Sequence, residues 1–298
     1  MKSEKISRRE MMIKSALAVG GLALSDSCQR GAVEKPAAKS LGKGFKIGVC
    51  DWTIGKRTNP ESLALAKSIG LDGVQVDLGS AEDNLPLFDR GLQEKFLEAA
   101  QESNVEIGSL AMGVLNNVPY KSKPKAEDWV IDSIGVCNAL GCKVLLMAFF
   151  GKGDLRNDSK GIDVVVERLK GAAEEAEEKE IILGVESQLS AEQHIDIIER
   201  VGSPAVQVYY DVGNSHSNGY DIYKEIRYLG KHICEFHAKD NDALYGKGSI
   251  DFPKVRRAMD DAGFRGWIHM EGTKMPFGVL ESCRYDGEYL RKIFPPNT

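Results

Sequence analysis

The sequence predicts an α/β chain folded as one (β/α)8 barrel. Short apolar segments recur eight times, and each passes into glycine and polar residues, as strands of a parallel sheet buried on both faces do at their ends. The stretches between them carry apolar residues at three- and four-residue spacing with charges on the opposite side, the pattern of helices that cover a sheet. Eight strands alternating with helices favour barrel closure, with a doubly wound open sheet as the alternative.

In chain order, the first strand is expected at 45–52 (FKIGVCDW), followed by a helix at 60–69 with Asn59 as N-cap, Pro60 in its first turn and Gly70 closing it. Strand 73–79 leads to helix 92–103, strand 105–113 to helix 126–140, and strand 143–151 to helix 162–179. In the second half, strand 181–188 precedes helix 191–201, strand 205–213 precedes helix 222–229, and strand 232–239 precedes helix 253–262. Strand 266–272 and a closing helix at 285–293 complete the set, so the barrel domain is expected over 45–298. No GxGxxG fingerprint or GxxxxGK[ST] loop is present, which argues against a nucleotide-binding sheet.

Ahead of the barrel, residues 1–28 are expected to be a twin-arginine-type signal peptide. Lys2, Lys5, Arg8 and Arg9 precede a short apolar stretch from Ser15 to Leu24, and Ser7-Arg8-Arg9-Glu10-Met11 matches the export pattern with Met11 where Phe is usual. Residues 29–44, rich in Ala, Lys, Gly and Pro, are expected to be a linker. The protein is therefore expected in the periplasm, with membrane attachment only if Cys28 is lipidated; Ser25-Asp26-Ser27 is a poor lipobox. The other five cysteines have no disulfide spacing, and most of them are expected to be buried thiols.

Composition is that of an ordinary globular protein, with 42% hydrophobic and 28% charged residues. Net charge is −5, and the leader holds five basic against three acidic residues, so the remainder is still more acidic. Such a balance gives no attraction to a phosphate backbone, and no nucleic-acid partner is expected.

The residues that carry chemistry stand at strand ends. Glu186 in ILGVESQ, Asp211 in VYYDVGN, His237 in ICEFHAKDN and Glu271 in WIHMEG close four successive strands. One carboxylate after a strand is often only a helix N-cap. Four in succession differ, because parallel strands point their C-terminal ends to one face and bring distant residues together. Oxygen ligands with one imidazole suit Mn²⁺, Mg²⁺, Co²⁺ or Zn²⁺, so one divalent metal ion is the expected cofactor. If these ligands face the barrel interior, side-chain alternation puts Gln188 and Lys239 near the mouth, with His269 one layer below Glu271 as a residue of the core or behind the ligands rather than a ligand itself.

The segments LDGVQVD, GVES, DVGN, HAKD, GKGSIDF and HMEG resemble the xylose isomerase-like TIM barrels, a superfamily of sugar isomerases and epimerases, hydroxypyruvate isomerase, inosose dehydratase and the endonuclease IV branch. The resemblance covers about residues 45–294. It implies a metal held by Glu186, Asp211, His237 and Glu271, with Glu186 and Glu271 also forming the acid/base pair on opposite faces of a sugar. The chain departs from the ketohexose epimerases where they carry a histidine three residues after the aspartate: Asn214 stands there, and His216 lies two places on. Their arginine after the metal-binding histidine has no match. Asn214, His216, Gln188 and Lys239 are thus expected to hold a differently shaped polyol. Trp52 is expected as an apolar wall, and Lys247, before Ile250-Asp251-Phe252, as a loop residue bordering the pocket. The endonuclease branch needs histidines on early strands, and all five histidines here lie after residue 190.

The expected activity is a metal-dependent sugar isomerase or epimerase of carbohydrate metabolism, working by proton abstraction next to a carbonyl through an enediolate. The alternative is a metal-dependent lyase or hydratase on a keto-sugar, 3-keto-glycoside or keto-inositol. A non-catalytic carbohydrate-binding protein would not need two glutamates placed to exchange protons. The partner is a small carbohydrate, and a homo-oligomer is compatible with the sequence.

Overall fold

A computed structural model describes residues 44–240 and 243–296. The predicted leader, Cys28 and all but the last residue of the linker lie outside the described residues. All eight expected strands form: β1 (Phe45–Cys50), β2 (Gly73–Asp77), β3 (Glu106–Met112), β4 (Val144–Phe149), β5 (Ile182–Ser187), β6 (Val206–Asp211), β7 (Ile233–Asp240) and β8 (Gly266–Thr273). They pair in parallel in chain order, and β8 closes on β1 with Phe45 opposite Gly266.

The helices are α1 (Glu61–Ile69), α2 (Arg90–Ser103), α3 (Pro124–Leu140), α4 (Ser159–Glu178), α5 (Ala191–Val201), α6 (Val212–Ser217), α7 (Ile222–Leu229), α8 (Phe252–Asp261) and α9 (Gly278–Ile293). Side-chain caps fix many of the starts: Asp89, Asp158, Asp221 and Asp251 each accept from a backbone N–H in the first turn, and Ser190 with Gln193 forms a capping box on α5. Three expectations are corrected. Pro60 takes the cap position of α1, although Asn59 Oδ1 still accepts from Glu61 N at 2.9 Å. Helix α9 starts at Gly278 rather than at 285, and α6, begun by the Asp211 side chain on Asn214 N, was not expected.

The main core lies between the barrel wall and the helices, where Ile47, Val49, Val74, Val76, Leu110 and Leu145 meet Leu63, Ile134 and Leu169. The barrel interior is filled differently. Trp267 and His269 project inward from β8 and stack with ring centroids 5.1 Å apart and planes 14° off parallel. Glycines opposite make room for them: a Cβ on Gly48 or Gly108 would strike the His269 ring, and one on Gly73 the Trp267 ring. These rings form the floor on which the ends of the strands present their polar residues.

Candidate metal centre

Strand register assembles the centre. Asp211, the last residue of β6, pairs directly with His237 of β7, which in turn pairs with His269 of β8, one layer beneath Glu271. Glu186 comes from the end of β5, so four strands in succession each supply one group. One ligand atom from each of Glu186, Asp211, His237 and Glu271 lies within 4.8 Å of all the others. His237 Nδ1 is 2.9 Å from Glu186 Oε1, 3.7 Å from Glu271 Oε2 and 3.8 Å from Asp211 Oδ2.

The four differ in exposure. The side chains of Glu186, Asp211 and His237 are at most 5% accessible, whereas that of Glu271 is 17% accessible. Glu271 is therefore the group a ligand at the mouth meets. Trp52 Nε1 donates to its Oε1 at 3.2 Å, and the Lys239 ammonium donates to its Oε2 at 2.6 Å. Lys239 also stands 3.5 Å from Asp211 Oδ2, its stem packed against Gly213, where a Cβ would clash.

Crowding three carboxylates, an imidazole and an ammonium out of water shifts their protonation. Burial opposes charge on His237, but Glu186, Glu271 and Asp211 outweigh it and raise the imidazole to about 9. Burial pushes Asp211 up to about 8 despite Lys239 and His237. Burial would also raise Glu271, yet His237 and Lys239 hold it down to about 2. Lys239 is raised above its usual value by Asp211 and Glu271 against its own burial, so it stays an ammonium.

The donor set fits a divalent cation. Asp211 Oδ1 is used by Asn214 N at 2.8 Å, but its Oδ2 is buried with no hydrogen-bond partner and faces the cluster at His237 and Lys239. An orphaned carboxylate oxygen amid three further hard donors is what a metal would satisfy, and the mixed oxygen and nitrogen set suits Mn²⁺, Mg²⁺, Co²⁺ or Zn²⁺.

Of the residues expected around the ligand, Trp52 and Lys239 are brought onto Glu271. Gln188 is half-buried just past the end of β5, with its side-chain Oε1 buried and unpartnered. Asn214 is half-buried in α6 and its carbonyl accepts from Asn218 Nδ2. His216 and Lys247 are exposed, and among the described residues no hydrogen bond or ion pair joins their side chains to the four ligand candidates. The expected cysteine state is found for Cys50, Cys137, Cys142, Cys234 and Cys283, all buried free thiols.

Sequence reasoning missed Phe150 and the polar residues beneath His237. Phe150, just after β4, packs with Trp52 on the interior cluster of Ala111, Leu146, Ala148 and Tyr209 and extends the apolar wall. His237 Nε2 lies 2.7 Å from Gln75 Oε1. The signal for Gln75 was a lone amide in the valine run of β2, a strand with every residue buried.

The family model of the xylose isomerase-like TIM barrel matches residues 63–292. The chain belongs to that family. Among its relatives, a protein of Escherichia coli provisionally named L-ribulose-5-phosphate 3-epimerase is 26% identical over 268 residues, covering 80% of this chain and 93% of the relative. A 2-epi-5-epi-valiolone 7-phosphate 2-epimerase of an Actinoplanes species is 25% identical, covering 59% of this chain and 65% of the relative. Among solved structures, a D-psicose 3-epimerase with D-tagatose from Clostridium cellulolyticum superimposes with a TM-score of 0.72 at 15% identity, over 83% of this chain and 99% of that one. A 3-keto-D-glucoside 4-epimerase from Escherichia coli gives 0.71 at 14% identity, with the same coverage of both chains. The last two establish likeness of fold for this family member.

Proposed function

We propose that this xylose isomerase-like barrel is a divalent-metal-dependent sugar epimerase or isomerase that moves a proton at the carbon next to a carbonyl. The observation that carries the reading is the pair of glutamates from β5 and β8 within one ligand cluster, one sealed and the other open to the mouth. The epimerase names of the relatives support the same class of reaction.

Glu186, Asp211, His237 and Glu271 would hold the ion. When bound, it supplies Lewis-acid polarisation of a carbonyl and a neighbouring hydroxyl, which acidifies the proton on the adjacent carbon. Glu271, held low in pKa and thus ionised, is placed to accept that proton from the mouth side, giving an enediolate of the sugar. Glu186 approaches from a strand three places away and is placed to return a proton to the other face. Trp52 Nε1 and Lys239 Nζ each grip one oxygen of Glu271 and fix its direction. Trp52 and Phe150 form an apolar wall suited to a sugar's carbon face. Gln188, Asn214, His216 and Lys247 complete the proposed polyol-binding set.

The leader at 1–28 supports export by the twin-arginine route to the periplasm, with attachment to the membrane if Cys28 is lipidated. That setting favours free or glycosidic sugars over sugar phosphates. A lyase or hydratase on a keto-sugar, 3-keto-glycoside or keto-inositol is the second reading, and the Lys239 ammonium beside Glu271 favours it by offering hydrogen bonds to a leaving oxygen.

Proton NMR of the metal-loaded protein in D₂O, with a panel of ketoses, aldoses, inososes and 3-keto-glycosides, tests both. Deuterium entering next to the carbonyl with every hydroxyl kept establishes the epimerase or isomerase. Loss of a hydroxyl or aglycone to give an enone establishes the lyase, and no exchange with any member of the panel refutes proton abstraction.

A further inference from the structure

We infer that Gln75 is a positioning residue that sets which ring nitrogen of His237 faces the ligand cluster. The inference rests on the metal reading above for its purpose, and on a fully paired buried amide for its evidence.

Gln75 is completely buried at the middle of β2. Its Nε2 lies 2.9 Å from Ser109 Oγ and 3.0 Å from Tyr209 Oη, and its Oε1 lies 2.7 Å from His237 Nε2 and 3.3 Å from Cys50 Sγ. An amide in such a place can turn over, exchanging its oxygen and nitrogen, unless its neighbours forbid it. In the orientation found, each half of the amide meets partners that suit it: its NH₂ donates to the hydroxyl oxygens of Ser109 and Tyr209, and its carbonyl oxygen can accept from the Cys50 thiol. The same carbonyl oxygen is turned toward His237.

A carbonyl oxygen accepts and cannot donate, so His237 Nε2 carries a proton. The remaining nitrogen, Nδ1, is the one 2.9 to 3.8 Å from the three carboxylates. In neutral His237 it is left with its lone pair aimed at the cluster, as a metal ligand requires. The chain of dependence runs from Ser109 and Tyr209 to Gln75, and from there to His237. Tyr209 Oη also lies 3.0 Å from His269 Nδ1, and His269 Nε2 has no partner. This fits a histidine that gives its Nδ1 proton to Tyr209 and keeps an unprotonated Nε2, so the same network assigns both tautomers.

The test compares wild type, Gln75→Leu and Gln75→Glu by Mn²⁺ affinity and by ¹⁵N-histidine NMR of the metal-free and Zn²⁺-loaded proteins. Gln75→Leu removes the acceptor and should weaken Mn²⁺ binding roughly 10- to 100-fold, the usual effect of losing such a partner. It should also abolish the hydrogen-bonded Nε2–H signal of His237. Gln75→Glu restores an acceptor at the same place and should recover both the signal and most of the affinity. A general packing defect would move neither the His237 signal selectively nor the difference between the Leu and Glu variants. If Gln75→Leu does not fold, Ser109→Ala, which frees one constraint on the amide, should give a smaller loss of affinity and an exchange-broadened Nε2–H signal. Wild-type affinity in Gln75→Leu with an unchanged His237 signal overturns the inference, as does a folded Gln75→Glu no better than Gln75→Leu. A wild-type protein that binds no Mn²⁺ refutes the metal reading instead, and the Nε2–H signal of metal-free His237 then decides the role of Gln75 alone.

Discussion

Loading the cluster with Mn²⁺ is expected to expel protons, and the number follows from the geometry. Without an ion, the surrounding carboxylates hold His237 at about 9 and burial holds Asp211 at about 8. Glu271, at about 2, has no proton to give. A metal needs His237 Nδ1 and the Asp211 carboxylate bare. At pH 7 both groups are mostly protonated, so each ion should displace roughly two protons, and the apparent association constant should rise about a hundredfold from pH 6 to pH 7. The dependence should flatten once the pH passes His237's own value. Folding follows the same linkage. The raised His237 pKa stabilises the metal-free fold fully below the unfolded value and ceases to do so as pH rises through about 9. The raised Asp211 pKa acts in the same direction, because the unfolded chain releases its proton first as pH rises toward about 8. Metal-free protein should thus lose Tm as pH rises toward 9, while Mn²⁺-loaded protein should be flatter. Calorimetric titration in buffers of different ionisation enthalpy counts the protons, and thermal melts with EDTA or Mn²⁺ follow stability. Release of less than about half a proton per ion at pH 7 would refute the assignment of these two ligands.

Three further outcomes are expected. Glu271→Gln should lower solvent-deuterium exchange by about 10²- to 10⁴-fold, the contribution of a placed general base, while Mn²⁺ still binds, though more weakly; unchanged turnover by the ion-loaded variant excludes Glu271 as the base. Trp52→Phe removes the N–H held by Glu271 Oε1 and keeps an apolar wall, so kcat should fall by about tenfold, as for the loss of one hydrogen bond to a charged group, with little change in KM; a change confined to KM would make Trp52 a substrate contact only. Gly108→Ala drives a methyl group into the His269 ring and should destabilise the fold by about 1–3 kcal/mol in urea titration; an unaltered midpoint would mean the ring is not seated there.

The barrel was legible because buried parallel strands are nearly continuous apolar runs, and those runs were bounded by glycine and polar residues. The four ligand candidates were legible for a related reason: each interrupts such a run at its C-terminal end, and all those ends open on one face. Helix α6 was not legible. Val-Gly-Asn-Ser-His-Ser has no amphipathic period, and the segment is helical because the Asp211 side chain, itself placed by β6, caps its first turn. Gln75 escaped notice because an amide in a strand commonly points to solvent; only barrel closure shows that β2 has no solvent-facing side. His216 and Lys247 were chosen for chemistry and position in the chain, and both side chains are exposed, which sequence spacing does not report.

The layers of β8 explain why one ligand is free to react while three are held. Trp267 and His269 stack beneath Glu271, and their rings occupy space opened by Gly48, Gly73 and Gly108, so the strand carrying Glu271 is fixed from below. Among the described residues nothing comparable covers Glu271 from above, where its side chain is 17% accessible. Asp211 is tied by the backbone N–H of Asn214, and His237 by the buried amide of Gln75. A base must reach substrate, which requires exposure, and it must also stay ionised and aimed, which exposure works against. Trp52 and Lys239 reconcile the two demands by holding Glu271 from its sides, leaving the mouth open. Loss of either should therefore disturb proton transfer more than metal retention, since the three sealed ligands remain in place.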